Sequence, residues 1–495
     1  MAFSAPFFLF IFFPLVFAGY WLIDRNLKNI FLLVASLVFY AWGEMFYVLV
    51  LLISIVANYL FGVWIDKYRK PVVSKLIISS TVIFNIGLLI CFKYQAIHVS
   101  LLNGVLSGFN IPPLSPQSIH LPIGISFFTF QAIAYVIDVY RQESEVQRNP
   151  LSFALFMSFF PKLTAGPIIR YHEMESNIDN RQINFDDCGY GISRFIIGLG
   201  KKVLIANTLS KATDQIFAIH SNDLTIGLAW LGIVCYTLQI YFDFSGYSDM
   251  AIGLARLFGF RFAENFNYPY VSRSITEFWR RWHISLSSWF RDYLFLPLTY
   301  ALMTDKIRSK ISQGKYKTPY RTLFSLFIVF TLCGVWHGST INFVVWGMFH
   351  GFMLGIECVK LEKILKKAWL PLAHVYTLLT VMISWVFFKI ESFSDAIGFL
   401  QAMAGFSKGS GIEYHVSLYL NTELFLAVIG GVIFALPLSQ KIKGYVENCD
   451  ISRLSGKLVV TTAPLFELVA LSIILIVSAA CLASSTHNPF IYYKF

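Results

Sequence analysis

Charge is what this sequence has least of. Only 14% of its 495 residues are Asp, Glu, Lys or Arg, while 56% are hydrophobic, and a soluble chain of this length needs more charge to cover its surface. That excludes a soluble multidomain enzyme. Long polar stretches are missing too: little between the apolar runs much exceeds about 35 residues, short of the ~50 that a soluble domain needs. The seven cysteines (Cys91, Cys188, Cys235, Cys333, Cys358, Cys449, Cys481) are odd in number, scattered, and without a CxxC pair, which speaks against a disulfide framework or a cysteine metal site. No His, Asp and Glu set has ligand spacing such as HxxxH, so no metal is expected. "GLGKK" at Gly198 lacks the earlier glycine and the Ser/Thr of a phosphate loop, and "GFSKG" at Gly405 has no strand before it to form a nucleophile elbow. Internal repeats and low-complexity tracts are absent. The first apolar run lacks a basic leader and a small-x-small cleavage site, so it reads as a retained helix.

What remains is apolar length. Runs such as Pro6 to Ile23, Phe46 to Ile65, Leu370 to Phe388 and Ala463 to Ser484 are each long enough to cross a bilayer, and roughly eleven such spans predict an all-α polytopic membrane protein. Lys and Arg outnumber Asp and Glu by 39 to 28. In such a chain the excess orients helices and does not signal a nucleic-acid partner. The basic groups at Arg25 and Lys28, at Lys67, Arg69 and Lys70, and at Arg141 and Arg148 predict cytoplasmic loops and an outward N-terminus. The segment from Tyr94 to His120, with Pro112, Pro113 and Pro116, then falls on the outer side.

From Phe160 to Leu209 the apolar pattern is interrupted by Pro161, Lys162, Gly166, Pro167 and Arg170. Broken helices at membrane depth need protein or a water-filled cavity around them, so this region is expected to line an internal passage. Val271 to Arg321 holds ten Lys and Arg against three acidic residues and reads as a cytoplasmic excursion ending in the polar linker "TDKIRSKISQGKYKTPYR". Next come two apolar segments joined by "HGST" and flanked on both sides by basic residues. Fifteen helical residues rise about 22 Å, short of a ~30 Å hydrocarbon core, which places His337 inside the membrane.

Ionisable residues within spans are costly and mark candidate sites. Asp243 and Asp249 stand six positions apart, about 240° around a helix, so they form no carboxylate dyad on one face unless Gly246 breaks the helix; they pair with Lys or Arg of neighbouring helices, cap a broken helix, or do acid–base work. An imidazole at membrane depth on a glycine-flanked turn suits a general base acting on a hydroxyl, which singles out His337, although a histidine satisfied within the core is the plainer reading. His350 is read first in that plainer way. In "FWRRWHISLSSWFRDYLFLPL", helical spacing puts His283 and Ser287 on one face, with Arg280, Arg291 and Asp292 as an ion-paired rim. Such a rim attracts an anionic donor such as a CoA phosphate, while interfacial Arg and Trp also serve simply as anchors.

"HLPIGISFFTFQAIAYVIDVYR", "FPKLTAGPIIRYHEM", "YFDFSGYSDMAIGLARLFGFRFAENFNYPY", "SITEFWRRWHISLSSWFRDYLFLPL", "GVWHGSTINFVVWGMFHG" and the terminal "NPFIYYKF", in this order, resemble the membrane-bound O-acyltransferase (MBOAT) family, in its bacterial branch of alginate and peptidoglycan O-acetylation proteins. The resemblance implies one integral-membrane domain, with N-terminal helices over 1–120, a catalytic core over 121–360 and C-terminal helices over 361–495, surrounding a central funnel. It implies catalytic roles for His337 and His283, donor contacts from Arg280, Arg281 and Arg291, and a funnel built with Asp243, Asp249, Trp336 and Asn342. No permanently bound cofactor is implied. Acetyl-CoA is the expected acyl donor, with a polysaccharide acceptor, a periplasmic or membrane-anchored SGNH-type acetyltransferase partner and a place in the bacterial cytoplasmic (inner) membrane. The chain departs from the alginate-type pattern where "TYALMTDKIRSKISQGK" replaces a Gly-Gly-Asn-Arg segment and where "FFKIES" replaces Phe-Arg-Ala-Glu. A transporter of a polymer or lipid-linked sugar, without acyl transfer, is the alternative from another class. A lipid O-acyltransferase with long-chain donors is a third.

Overall fold

The computed structural model describes residues 1–109, 111–113, 121–302, 319–407, 414–447 and 454–484. Pro116, most of the polar linker before Arg321, the last two residues of "GFSKG", Cys449 and the terminal "NPFIYYKF" lie outside them. Every regular element among the described residues is helical. Seven helices there are long and apolar enough to cross a membrane, and four shorter apolar ones accompany them, in keeping with an all-α polytopic architecture. The shorter group includes the helix that ends at His337.

The chain divides into two compact units. The first comprises residues 1–192 and 251–263, with helices α1 (Lys28–Gly43), α2 (Val48–Lys67), α3 (Pro71–Lys93), α4 (Ile125–Arg141) and α5 (Pro150–Ser158). Asn58 on α2 and Asn85 on α3 exchange side-chain amide bonds of 3.2 and 2.7 Å. Burying that reciprocal pair holds the two helices in register where lipid supplies no hydrophobic drive between them. The interruption read at Phe160 is present: α5 stops at Ser158, Phe159 takes a non-helical ψ of 111°, and Phe160 and Pro161 open a single new turn before non-helical chain from Gly166 to Arg170. Its predicted extent is too long, however. From Phe185 to Phe217 the chain is helical throughout, with one π-helical stretch at Lys201–Ala206, because only the proline-bearing part loses backbone donors.

The second unit comprises residues 193–250 and 264–495. The helix begun at Phe185 (α6, Phe185–Gly200) enters it, and α7 (Ile226–Leu257), whose 32 residues rise about 48 Å, begins in it and leaves it after Met250. Then follow α8 (Ile275–Arg281), α9 (Ile284–Phe290), the hairpin of α10 (Pro319–His337) and α11 (Ile341–Ile356), and α12 (Leu370–Lys389). Glycine sets the hairpin's closeness. A Cβ on Gly347 would lie 2.2 Å from the Phe330 carbonyl oxygen, and one on Gly334 equally close to that of Phe343, so the two backbones touch where no side chain fits. Gly347→Val is expected to cost at least the ~1–3 kcal/mol typical of overpacking. Thermal unfolding in detergent reads this; an unchanged midpoint would rule out so close a crossing.

Candidate active site

The tract from Phe278 to Leu298 does not form one helix. Helices α8 and α9 are seven residues each, hinged at Trp282 and His283, and His283 has a left-handed φ of 43°. His283 is thus the non-helical residue that caps α9 and no longer part of one continuous helix, its carbonyl accepting the Ser287 N–H at 3.0 Å as the first bond of α9. Two restraints build it. The Ser274 hydroxyl caps α8 by accepting the Glu277 N–H at 3.0 Å. Residues 265–267 then run beside the hinge, with Ile284 N–H donating to Asn265 and Asn267 N–H to Arg281, both at 2.9 Å.

Asn265 also holds the imidazole. Its Oδ1 accepts the Ser285 N–H at 3.1 Å and the Ser285 hydroxyl at 2.9 Å, and lies 3.2 Å from His283 Nδ1. Since a backbone N–H can only donate, this oxygen is an acceptor and Nδ1 must carry the proton, which leaves the lone pair on Nε2. The His283 ring is buried, with Phe244 edge-on at 4.6 Å. Burial pushes its pKa down to about 3, so the ring is neutral near pH 7.

His337 closes α10 and is 3% exposed. Trp336, Trp346 and Phe388 surround it at ring distances of 4.6, 5.0 and 5.1 Å. A continuous series of rings joins the two histidines: from His283 through Phe266 and Trp282 to Trp385, then Trp346 and His337, with contacts of 5.0–6.3 Å. Both imidazoles are thus set among apolar rings.

His350 is a core residue with both nitrogens used. Its Nδ1 accepts the Trp279 indole N–H at 3.2 Å, and its Nε2 donates to Ser384 at 3.0 Å, whose own hydroxyl proton goes to the Val381 carbonyl.

Beside α8 and α9 opens a cavity of 410 Å³ lined by Trp279, Arg280, Ser287, Arg291, Phe330 and Cys333 among others. Cys333 is one helical turn before His337, so the cavity follows α10 toward that residue, although neither histidine lines it. Of the three arginines read from sequence, two lie on the cavity. Arg291 forms a two-bond pair with Asp292 at 2.7 and 3.1 Å, while Arg280, exposed, makes no ion pair or hydrogen bond among the described residues. Arg281 turns away, binding Glu277 at 2.9 Å and the Asn267 carbonyl at 3.1 Å.

The intramembrane acids are ion-paired. Asp243 meets Lys202 at 2.7 Å; Asp249 meets Arg194 and Lys201, each at 2.7 Å. Asn342 donates to the Ile390 carbonyl at 2.6 Å and so ties the start of α11 to the end of α12. Two residues that build this site escape sequence reasoning. One is Asn265. The other is Glu357, buried beyond the end of α11, whose carboxylate accepts the Ile275 and Thr276 N–H groups at 2.7 and 2.8 Å and the Tyr376 hydroxyl at 3.0 Å. It satisfies the first donors of α8 and pins that cavity wall to the His337 hairpin. An acidic residue ending an apolar run is its one trace in the sequence.

Residues 141–393 match the family model of the membrane-bound O-acyltransferases; both histidines, the arginines, the hairpin and Glu357 fall within the match. The chain belongs to the membrane-bound O-acyltransferase family. It is 37% identical to "Probable alginate O-acetylase AlgI" of Azotobacter vinelandii over the full length of both. It is 33% identical to a peptidoglycan O-acetyltransferase of Helicobacter pylori, over 88% of this chain and 86% of the relative. A teichoic acid D-alanyltransferase of Bacillus subtilis is 31% identical over 55% of this chain and 69% of its own. As an MBOAT member the chain is a multi-pass membrane acyltransferase, and the structure gives its two histidines one shared aromatic wall.

Proposed function

We propose that this MBOAT protein takes an acetyl group from acetyl-CoA on the cytoplasmic side of a bacterial inner membrane and passes it outward for O-acetylation of a cell-envelope or secreted polysaccharide. The observation that carries the reading is the cavity lined both by the uncommitted Arg280 guanidinium and by Cys333, one turn from His337. A donor with charged phosphates and a small uncharged thioester end fits that gradient: phosphates toward the arginines, the acyl end toward His337. The relatives' printed activities, alginate and peptidoglycan O-acetylation, support acetate and a glycan as acyl group and acceptor class. An SGNH-type partner completes the transfer outside.

The chemistry is a thioester-to-ester exchange. His337 takes the proton of the acceptor hydroxyl as its oxygen attacks the thioester carbonyl; the carbon–sulfur bond breaks, and the CoA thiolate leaves with that proton. His283, with its lone pair held on Nε2, accepts a hydrogen bond from a neighbouring hydroxyl of the acceptor and so orients it. Arg280→Ala is expected to raise KM for acetyl-CoA about tenfold, as lost phosphate attraction does, with little change in kcat. Transfer from labelled acetyl-CoA by the purified protein in proteoliposomes measures it. Equal KM values remove Arg280 from the donor site; no turnover of acetyl-CoA by the wild-type protein, with a glycan acceptor and its partner supplied, rejects the reading itself in favour of transport without chemistry.

A further inference from the structure

We infer that Asn265 is a positioning residue that fixes the protonation of His283, holding its Nε2 as a hydrogen-bond and proton acceptor in the acyl-transfer site. The inference rests on the proposed role of His283 in that site. Three observations carry it.

First, the Ser285 N–H leaves no choice about which end of the Asn265 amide faces the ring, so the Nδ1–H tautomer follows from geometry alone. Second, the arrangement is held against local cost. His283 sits at a positive φ that a side chain with a Cβ disfavours, and the Asn265 Nδ2 hydrogens, fully buried, find no acceptor among the described residues. Backbone strain and an unsatisfied buried donor are each unfavourable, and where both persist together they mark function. Third, the ring's flanks are apolar. Phe244 and Phe266 face it from α7 and from the residues beside the hinge, and burial lowers its pKa.

The consequence is a defined role for the His283 imidazole. His283 can accept but, through Nε2, cannot donate. It therefore holds a hydroxyl proton, and does not polarise a carbonyl oxygen. This is the pairing of an imidazole with an amide oxygen, in place of a carboxylate, that keeps the ring oriented without raising its basicity.

The test replaces Asn265 with Asp. In Asn265→Asp the Asp–His pair binds one extra proton at low pH. The new carboxylate facing Nδ1–H draws that proton to the ring, where ¹⁵N-histidine spectra of the variant register it, so Nε2 carries a hydrogen below the apparent pKa of the pair and loses it above. The sign is therefore fixed: the pair's proton affinity is raised, and activity is lost as pH falls through it. The expected result is a new acid limb in kcat, about tenfold per pH unit, in a variant that approaches wild-type turnover at alkaline pH. Asn265→Leu should lose activity at every pH. A pH profile of Asn265→Asp parallel to that of wild type, in preparations where His337→Ala and His283→Ala are inactive, overturns the inference and leaves the acyltransfer reading standing; turnover by the two histidine variants would sink that reading instead. Should Asn265→Asp fail to fold, ¹⁵N-histidine spectra of the wild-type protein, subtracted against His283→Ala, decide the matter: an unprotonated Nε2 supports the role and a protonated Nε2 contradicts it.

Discussion

His337→Ala is expected to reduce acetyl transfer by about 1,000-fold or more while the protein still reaches the membrane folded. The magnitude follows from the role: a positioned general base contributes roughly 10²–10⁴ in rate, and the rings of Trp336, Trp346 and Phe388 packed around His337 offer no base to replace it. The fold survives because His337 terminates its helix, so no helical hydrogen-bond pattern depends on its side chain. Removing a ring from an aromatic cage leaves a cavity, and for that reason His337→Gln, nearer in volume, is the companion variant. It should be as inactive as the alanine protein yet closer to wild type in thermal midpoint. Activity in either variant within tenfold of wild type, measured as acetate moved from labelled acetyl-CoA, contradicts the assignment.

The second large effect concerns stability. In Asp243→Asn the Lys202 ammonium loses the carboxylate 2.7 Å away, and both side chains are buried. Leaving one charge of a buried pair without its partner costs about 3–5 kcal/mol, enough to remove most folded protein from a membrane preparation. Replacing both, as Asp243→Leu with Lys202→Met, should restore most of that loss, since a well-packed apolar pair is often no worse than a buried ion pair. The double variant also separates the two readings of Asp243. If it is folded and active, the aspartate is structural; if it is folded and inactive, the carboxylate takes part in proton transfer. A single Asp243→Asn variant as stable as wild type would refute the energetic argument.

Features carried by local pattern are legible in the amino-acid sequence itself. The hairpin ending at His337 is readable because two apolar runs of limited length flank a polar, glycine-bearing turn, and membrane thickness converts length into depth. The ion pairing of Asp243 and Asp249 is readable because a charge in a span is seldom left alone. The hinge at His283 is not: a positive φ at a non-glycine residue has no local signature, and helical spacing through "WRRWHISL" is just as good as the two-helix solution. What breaks the helix there is the backbone of residues 265–267, brought alongside by tertiary contact. Asn265 and Glu357 escape notice for the same reason, since their partners lie 18 and 82 positions away in the chain. Arg280 and Arg281 are indistinguishable in sequence. The structure separates them because Glu277, one turn back, claims the second and leaves the first on the cavity.

The central claim is that His337 drives acetylation of a polysaccharide outside the cytoplasm. Ester-bound acetate on the cell-envelope and secreted polysaccharides, compared between cells producing the wild-type protein and cells producing His337→Ala at equal membrane levels, tests it most directly. The account predicts that one polymer loses its acetate in the variant, which also names the acceptor; acetate unchanged on every polymer would contradict it.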